Sequence, residues 1–155
     1  MLPRHSLKIA LIEPEIPQNA GNIARLCAAT GARLHLVRPL GFFLSDKHFK
    51  RAGMDYLQSV PITTHDDLAA LFRAIGAAPF VLTSGLGGAP HWTARLAPDC
   101  WILLGKESAG LLAELLQAHP DRVVQIPMAQ GTRGLNLATA AGIVLYEALR
   151  QATLP

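Results

Sequence analysis

The chain has 155 residues, a length typical of one compact domain. Half of the residues are hydrophobic and only 16% are charged, so the composition supports a buried core and excludes an intrinsically disordered protein. The formal net charge of +3 permits an anionic partner without requiring one. Most of the basic residues are arginines, which bind phosphate in a two-pronged geometry.

The sequence carries no signature of a membrane or metal protein. No apolar run approaches the roughly 20 residues that a membrane-spanning helix needs, and residues 1–6 lack a signal-peptide pattern. Cys27 and Cys100 lie far apart and outside any paired spacing, which indicates neither a disulfide framework nor a zinc site, and we expect both in the core. We therefore expect one cytoplasmic domain over residues 1–155, without metal or membrane association.

The first half of the chain alternates strand-length apolar runs with helix-period segments. Residues 7–13 predict a first strand, residues 17–30 a helix that ends at Gly31, and residues 34–37 a second strand. A short basic helix or turn is predicted over residues 46–52. This alternation is typical of an α/β fold with a mostly parallel sheet flanked by helices.

The second half continues the same alternation. Thr64 and Asp67 have the spacing of a capping box, and apolar residues then recur with helical period up to Gly76. Strands are predicted over 80–83, 101–104 and 123–126, and a helix over 111–119. The final helix, predicted over 135–151, is apolar around most of its circumference, so either its own core or a partner subunit should bury it.

Common catalytic motifs do not occur in this sequence. The loop over residues 13–19 has neither a dinucleotide fingerprint nor a phosphate-binding P-loop, which weighs against a dinucleotide-dependent oxidoreductase. No Gly-x-Ser-x-Gly segment is present, and the six histidines show no metal-ligand spacing. Hydrolase and metalloenzyme functions are therefore without a motif.

Three polar, glycine-containing stretches remain as candidate sites. In the first, Asn19, Asn22 and Arg25 are three residues apart and would present amide and guanidinium donors along one side of a helix. The alternative is that Asn19 caps this helix and Arg25 is a solvated charge. Spacing alone leaves both possibilities open.

The other two stretches follow late strands. In residues 104–111, Gly105 would let a ligand approach the backbone and Glu107 would occupy the first turn of a helix, although both features are also common without function. Residues 126–137 form a polar loop between a strand and a helix, a place where functional residues often lie. Arg133 in this loop is either functional or a solvated charge.

Together and in this order, the three stretches resemble the three motifs of the SpoU branch of the SPOUT RNA methyltransferases. The matches are Asn-x-Gly with an arginine four residues on (19–25), Gly-x-Glu-x-x-Gly (105–110), and Ile-Pro-Met followed by Arg-x-Leu-Asn-Leu (126–128, 133–137). The likeness extends over nearly the whole chain and is greatest to the minimal YibK/TrmL type, which methylates the wobble nucleotide of tRNA.

The resemblance implies a fold and a cofactor. The fold is an α/β sheet whose C-terminal part forms a deep trefoil knot, an exception to the unknotted topology of most proteins. The cofactor is S-adenosylmethionine, which donates a methyl group to the ribose 2′-hydroxyl of the wobble nucleotide, a cytidine or a modified uridine. By position, its binding residues here are Thr83, Ser84, Gly85, Gly105, Ile126, Met128, Gly134 and Leu135.

The resemblance also implies partners and catalytic residues. The family acts as a homodimer on the anticodon stem-loop of tRNA, and Arg25 of one subunit would complete the cofactor pocket of the other. Arg25, Asn19 and Glu107 match the catalytic motif residues, and Glu107 and Asn136 are expected to order the pocket. The residues expected to contact RNA are Arg25, Arg133, Asn136, Lys47 and Arg51.

Two positions depart from the family pattern. Gly134 replaces the usual serine after the third-motif arginine, which puts a side-chain role there in doubt, and Lys106 adds a positive charge in the second motif. Two alternatives stay open. One is a 2′-O-methyltransferase for another tRNA or ribosomal RNA site, because related members share these motifs and differ in the RNA they bind. The other is a catalytically silent RNA-binding dimer of the same fold, which only Gly134 supports.

Overall fold

The computed structural model describes residues 1–154, which form seven strands and five α-helices. The strands are β1 (Lys8–Ile12), β2 (Arg33–Val37), β3 (Ile62–His65), β4 (Phe80–Thr83), β5 (Ala89–Pro90), β6 (Trp101–Leu104) and β7 (Val123–Gln125). The helices are α1 (Pro17–Thr30), α2 (Lys47–Gly53), α3 (Leu68–Ile75), α4 (Ala113–Ala118) and α5 (Leu137–Ala152). Two 3₁₀ helices, Met54–Gln58 and Pro120–Arg122, complete the described part of the chain.

The strands make one parallel sheet in the order β3-β2-β1-β6-β4-β7-β5. This confirms the predicted α/β class with a parallel sheet flanked by helices. Strand β1 lies inside the sheet, with β2 paired on one side and β6 on the other. The chain order reverses at this point, and ligands of open α/β sheets bind in the crevice beside such a switch, at the carboxyl ends of the strands.

Each face of the sheet has its own apolar core. One face packs against α1, α2 and α5 through residues such as Leu11, Ile23 and Leu145. The other face packs against α3 and α4 through residues such as Leu71 and Leu103. Cys27 and Cys100 are both buried as expected, and burial raises the pKa of each thiol to about 12.

The ends and the packing of α1 follow directly from its sequence. Pro17 occupies the first turn, and Gly31 ends the helix in a left-handed conformation with φ of 81°, where its N–H bonds the carbonyl of Cys27. Gly21 lets α2 pack closely, because a Cβ there would lie 2.5 Å from the carbonyl oxygen of Phe49. The α1–α2 pair is therefore fixed in place.

The last helix, α5, is buried in the core of its own chain. Its apolar side consists of Ala141, Val144, Leu145, Ala148 and Leu149. The exposed side carries Tyr146, which is 52% exposed, and this surface is open to a partner. Within residues 1–154, no helix is long and apolar enough to cross a membrane.

One prediction at a helix start was wrong. Thr64 does not form a capping box, because it lies in β3, paired with Leu36 of β2. Asp67 caps α3 by itself, since its carboxylate accepts a hydrogen bond from the N–H of Ala70 at 2.7 Å. Strand β3 was not predicted, because its sequence, Ile-Thr-Thr-His, contains only one strongly apolar residue.

Candidate active site

A cavity of about 380 Å³ opens at the carboxyl edge of the sheet, where the loops after β4, β6 and β7 meet the start of α5. The structure brings all eight residues predicted to bind the cofactor to its wall: Thr83, Ser84, Gly85, Gly105, Ile126, Met128, Gly134 and Leu135. Asn19, Glu107 and Asn136 also line it. The volume falls within the usual range of small-molecule sites.

The carboxylate of Glu107 joins two of the three motif stretches. It accepts hydrogen bonds from the N–H of Glu15 at 2.8 Å, from the N–H of Ile16 at 3.1 Å and from Nδ2 of Asn19 at 3.2 Å. The two oxygens of a carboxylate can accept several hydrogen bonds at once. Glu107 therefore ties the loop after β6 to the loop before α1.

Asn19 and Asn136 add the third stretch to this network. Oδ1 of Asn19 accepts a hydrogen bond from Nδ2 of Asn136 at 2.9 Å. Oδ1 of Asn136 accepts the N–H groups of Ala138 and Thr139, which caps α5. Motif residues that are more than a hundred positions apart in the chain thus form one continuous hydrogen-bonded unit.

Two sequence-based interpretations of this region were wrong. Asn19 does not cap α1, because the N-cap position is Ile16 and the Asn19 side chain is buried in the network described above. Glu107 does not occupy the first turn of a helix, because α4 begins only at Ala113. Both side chains instead form hydrogen bonds between segments that are far apart in the chain.

Gly105 is required by the loop itself before any ligand is considered. A Cβ at this position would overlap the backbone of Gly110 and Leu111. The N–H of Gly110 in turn bonds the carbonyl of Lys106 at 2.8 Å, so the loop folds tightly back on the end of β6. A glycine at position 105 therefore has a second reason besides ligand binding, because the backbone of Gly110 and Leu111 packs directly against it.

Sequence reasoning missed a second link between the same two loops. The Glu15 carboxylate accepts hydrogen bonds from the N–H of Ser108 at 2.9 Å and from its hydroxyl at 2.7 Å. These bonds lower the pKa of Glu15 below its usual value. Beside them, Nζ of Lys106 lies 3.5 Å from the carboxylate of Glu13. The only signal in the sequence was the pair of acidic residues Glu13 and Glu15, and no local pattern indicated that they contact Lys106 and Ser108.

One polar atom in the cavity wall is left for a ligand. Oγ1 of Thr83 is buried and has no hydrogen-bond partner among the described residues. A buried hydroxyl without a partner costs roughly 1–3 kcal/mol, so a polar group bound in the cavity would relieve that cost. Ile126 and Leu137 add apolar surface to the wall of the same cavity.

The predicted cationic residues lie outside this cavity. Arg25 is exposed on α1, with its guanidinium carbon 6.0 Å from the centre of the Tyr56 ring. Lys47 and Arg51 are exposed on α2, and Arg133 is exposed in the loop before α5. The structure therefore separates Arg25 from Asn19, although both lie on α1. Among residues 1–154, no group of three or more His, Cys, Asp or Glu side chains could hold a metal ion.

The comparison with known proteins decides the family. Residues 6–146 match the model of the SpoU rRNA Methylase family. The chain belongs to the SpoU methylase family. A relative from Escherichia coli K12, named tRNA (cytidine(34)-2'-O)-methyltransferase, is 40% identical over 150 residues, which cover 96% of each chain. A relative of the same name from Methylovorus glucosotrophus is 46% identical over 145 residues, covering 92% of this chain and 94% of that one.

Solved structures of relatives have the same fold. One, described as "Structural insights into the 2-OH methylation of C/U34 on tRNA", has a TM-score of 0.91 and 45% identity, and covers 96% of this chain and 97% of that one. The SpoU methyltransferase AviRb from Streptomyces viridochromogenes, solved with AdoMet, has a TM-score of 0.83 and 29% identity. The match covers 96% of this chain and 58% of AviRb. The predicted membership of the SpoU branch is confirmed.

Proposed function

We propose that this chain is a tRNA 2′-O-methyltransferase that transfers a methyl group from S-adenosylmethionine to the ribose 2′-hydroxyl of the wobble nucleotide. The accepted nucleotide is a cytidine or a modified uridine in the anticodon stem-loop. The observation that carries this proposal is the network of Glu107, Asn19 and Asn136, which joins the three motif stretches beside one cavity. Relatives named for this reaction match the chain over almost its full length.

The cavity suits S-adenosylmethionine, which supplies a methyl group bound to a positively charged sulfur. Thr83 offers its unpartnered hydroxyl, and the loops that begin at Gly105 and Ile126 offer backbone groups. Leu135 and Leu137 provide apolar surface. This use of backbone groups agrees with the lack of a phosphate-binding glycine loop, because this cofactor has no phosphate.

The chain's own residues must position a weak nucleophile, the ribose hydroxyl. The guanidinium of Arg25 offers only hydrogen-bond donors, so we assign it to orienting the hydroxyl and stabilising the charge that develops there. Asn19 and Glu107 keep the pocket in the geometry that transfer requires. Arg25 lies away from the cavity of its own chain, which supports its action in the pocket of a second subunit.

We propose that the working molecule is a homodimer and that tRNA binds along its basic surface. Lys47 and Arg51 on α2 and Arg133 beside the cavity are exposed cations that would neutralise phosphates. Of the two roles expected for Asn136, ordering the pocket and contacting RNA, we keep only the first. Both ends of its amide already have internal partners.

We also propose that residues 1–155 form a single SPOUT methyltransferase domain, active in the cytoplasm, whose C-terminal part is a deep trefoil knot. Support for the knot comes from the meeting of three late loops at one cavity and from the return of α5 onto α1. Pulling the unfolded chain by its ends tests it. A knotted chain stays shorter than the full extension of about 3.4 Å per residue, and an unknotted chain reaches it.

Methyl transfer to tRNA tests the proposed activity. Purified protein is incubated with labelled S-adenosylmethionine and tRNA that lacks wobble methylation, and the labelled nucleoside is mapped by mass spectrometry. Label on a wobble 2′-O-methylcytidine or 2′-O-methyluridine derivative is the expected result. Label at another tRNA or ribosomal RNA site would keep the reaction and change the substrate. Cofactor binding without transfer would point to another RNA or a required partner, and absence of cofactor binding would favour the silent RNA-binding dimer.

A further inference from the structure

The turn over residues 41–46 has a fixed backbone and exposes an aromatic ring. Phe43 is 82% exposed. The turn is fixed because the N–H of Gly41 bonds the carbonyl of Pro14 at 2.9 Å and the N–H of Asp46 bonds the carbonyl of Phe43 at 2.8 Å. Phe42 packs on Phe49, with ring centres 5.6 Å apart. The exposure of Phe43 is therefore part of a built surface.

This turn lies against the segment that borders the candidate active site. A Cβ on Gly41 would lie 2.7 Å from the Cα of Glu15, so the two backbones are in direct contact. The N–H of Glu15 bonds Glu107, and the next residue, Ile16, lines the cavity. The turn that carries Phe43 thus lies at the same edge of the sheet as the cavity. Its Gly41 contacts Glu15, and Glu15 in turn bonds Glu107.

Cationic side chains accompany the ring. Lys47, Lys50 and Arg51 follow it on α2, and all three are exposed. The carboxylates nearby are Asp46, Asp55 and Glu15. Asp46 caps α2 through the N–H of His48, and the Glu15 carboxylate is occupied by two hydrogen bonds from Ser108. The adjoining groove has a volume of about 640 Å³, and its wall combines the cations Lys50 and Arg51 with Leu44, Met54 and Leu57.

An exposed ring beside cations fits single-stranded RNA better than a second protein surface. Unpaired bases of RNA loops stack on aromatic side chains, while lysine and arginine bind the phosphates between them. The centres of protein interfaces are enriched in aromatic residues and arginine but depleted of lysine, and two of the three cations beside Phe43 are lysines. The chemistry around Phe43 therefore points to an unpaired nucleobase as the occupant.

We propose that Phe43 stacks on an unpaired base of the anticodon loop and thereby positions the wobble nucleotide at the cavity. This inference rests on the proposed function and adds to it a specific contact with the RNA. The ring supplies binding through its face, so it tolerates different bases at the stacked position. The phosphates beside that base bind the α2 cations.

A fluorescent anticodon stem-loop tests this contact directly. The RNA carries 2-aminopurine at each position next to the wobble nucleotide in turn, and the emission of this base falls when it stacks on a ring. Each RNA is titrated onto wild-type protein, two Phe43 variants and a control variant. Phe43→Leu keeps an apolar side chain but removes the aromatic face, and Phe43→Tyr restores the ring. Leu112→Ala is the control, because Leu112 is a 54% exposed apolar residue next to α4, on the opposite face of the sheet.

The expected result is quenching by wild type and Phe43→Tyr, and loss of quenching with about tenfold weaker RNA binding for Phe43→Leu. Binding of S-adenosylmethionine should be unchanged in all variants. Equal quenching and affinity for wild type and Phe43→Leu would overturn the inference while leaving wobble methylation intact. A change of dimerisation in Phe43→Leu would assign the ring to a second copy of the chain. Failure of wild type to methylate the stem-loop would refute the proposed function itself.

Discussion

Glu107 accepts three hydrogen bonds from groups that belong to another segment of the chain. In Glu107→Gln, an NH₂ group replaces one carboxylate oxygen and faces an N–H donor, so at least one bond is lost. We expect a loss of about 1–3 kcal/mol in the free energy of unfolding and weaker binding of S-adenosylmethionine. Urea unfolding and calorimetric titration measure both, with exposed Glu114 changed to Gln as the control. Unchanged stability would show that these bonds do not hold the loop.

Two glycines in the cavity wall should respond to substitution in opposite ways. Gly105→Ala places a methyl group on the backbone of Gly110 and Leu111, and we expect a destabilised loop and reduced cofactor binding. Gly134→Ser should be tolerated, because no atom lies within 4 Å of a Cβ at Gly134. Thermal unfolding and cofactor affinity distinguish the two variants. Equal behaviour would contradict the tight packing described for Gly105.

The sequence predicted which residues gather at the candidate site, but not how they contact one another. Asn19, Glu107 and the eight residues expected to bind the cofactor came from the family resemblance, and the structure places all of them at one cavity. Their hydrogen-bond partners depend on contacts between segments about 90 residues apart, such as Glu15 with Ser108, which no local pattern encodes. Local spacing suggested that Asn19 caps a helix, and tertiary contact overrode that suggestion.

At the scale of elements, the sequence predicted best where the periodic signal was strong. The bounds of α1, β4 and β6 agree with the structure, because apolar runs there end at clear glycine or proline signals. Strand β3 and the two-residue strand β5 escaped prediction, since both are short and lack alternating apolar residues. Their positions are set by neighbouring strands instead.

The strand pair β2 and β3 should make the fold sensitive to acid. Nδ1 of His35 lies 2.9 Å from Nε2 of His65, and His35 packs against the Trp101 ring. Burial, and then the charges of His65, Lys8 and Arg33, lower the pKa of His35 from 6.5 to about 4. Burial also lowers the pKa of His65.

The sign of this effect follows from which state binds the proton first. Between pH 6.5 and about 4 the unfolded chain protonates His35 while the folded chain does not, so the free energy of unfolding falls as the pH falls through this window. In His35→Gln, we expect the free energy of unfolding to fall by roughly 1–3 kcal/mol less than in wild type over this pH window. Urea unfolding at several pH values measures it, with exposed His48→Gln as the control. Parallel pH profiles for wild type and His35→Gln would contradict the assignment.

At the scale of the whole molecule, the proposed homodimer, in which Arg25 acts in the partner's pocket, predicts complementation between subunits. Arg25→Ala removes the guanidinium, and Gly85→Trp is expected to fill the cavity. Gly85 lines the cavity, and no atom lies within 4 Å of a Cβ placed there, so the backbone can accept the new side chain. Each variant alone should be inactive. Co-expressed with two affinity tags, they form mixed dimers in which one site keeps both an open cavity and the partner's arginine.

The mixture should recover about a quarter of wild-type methyl transfer, since half of the dimers are mixed and each has one intact site. Purification through both tags should double that specific activity. If Arg25 acted on the cavity of its own chain, no mixed dimer would contain an intact site and activity would stay at the level of the single variants.

The position of β1 in the sheet has a consequence for the synthesis of this protein. One edge of β1 pairs with β2 soon after both leave the ribosome, but the other edge pairs with β6, in the register of Lys8 with Trp101. At a translation rate of about 5–20 residues per second, the residues between β1 and β6 take roughly 5–20 s to be synthesised. For that interval a nascent chain presents an unpaired apolar strand edge, which other chains can extend. Faster translation shortens this exposure, and neighbouring ribosomes on one messenger bring such edges close together.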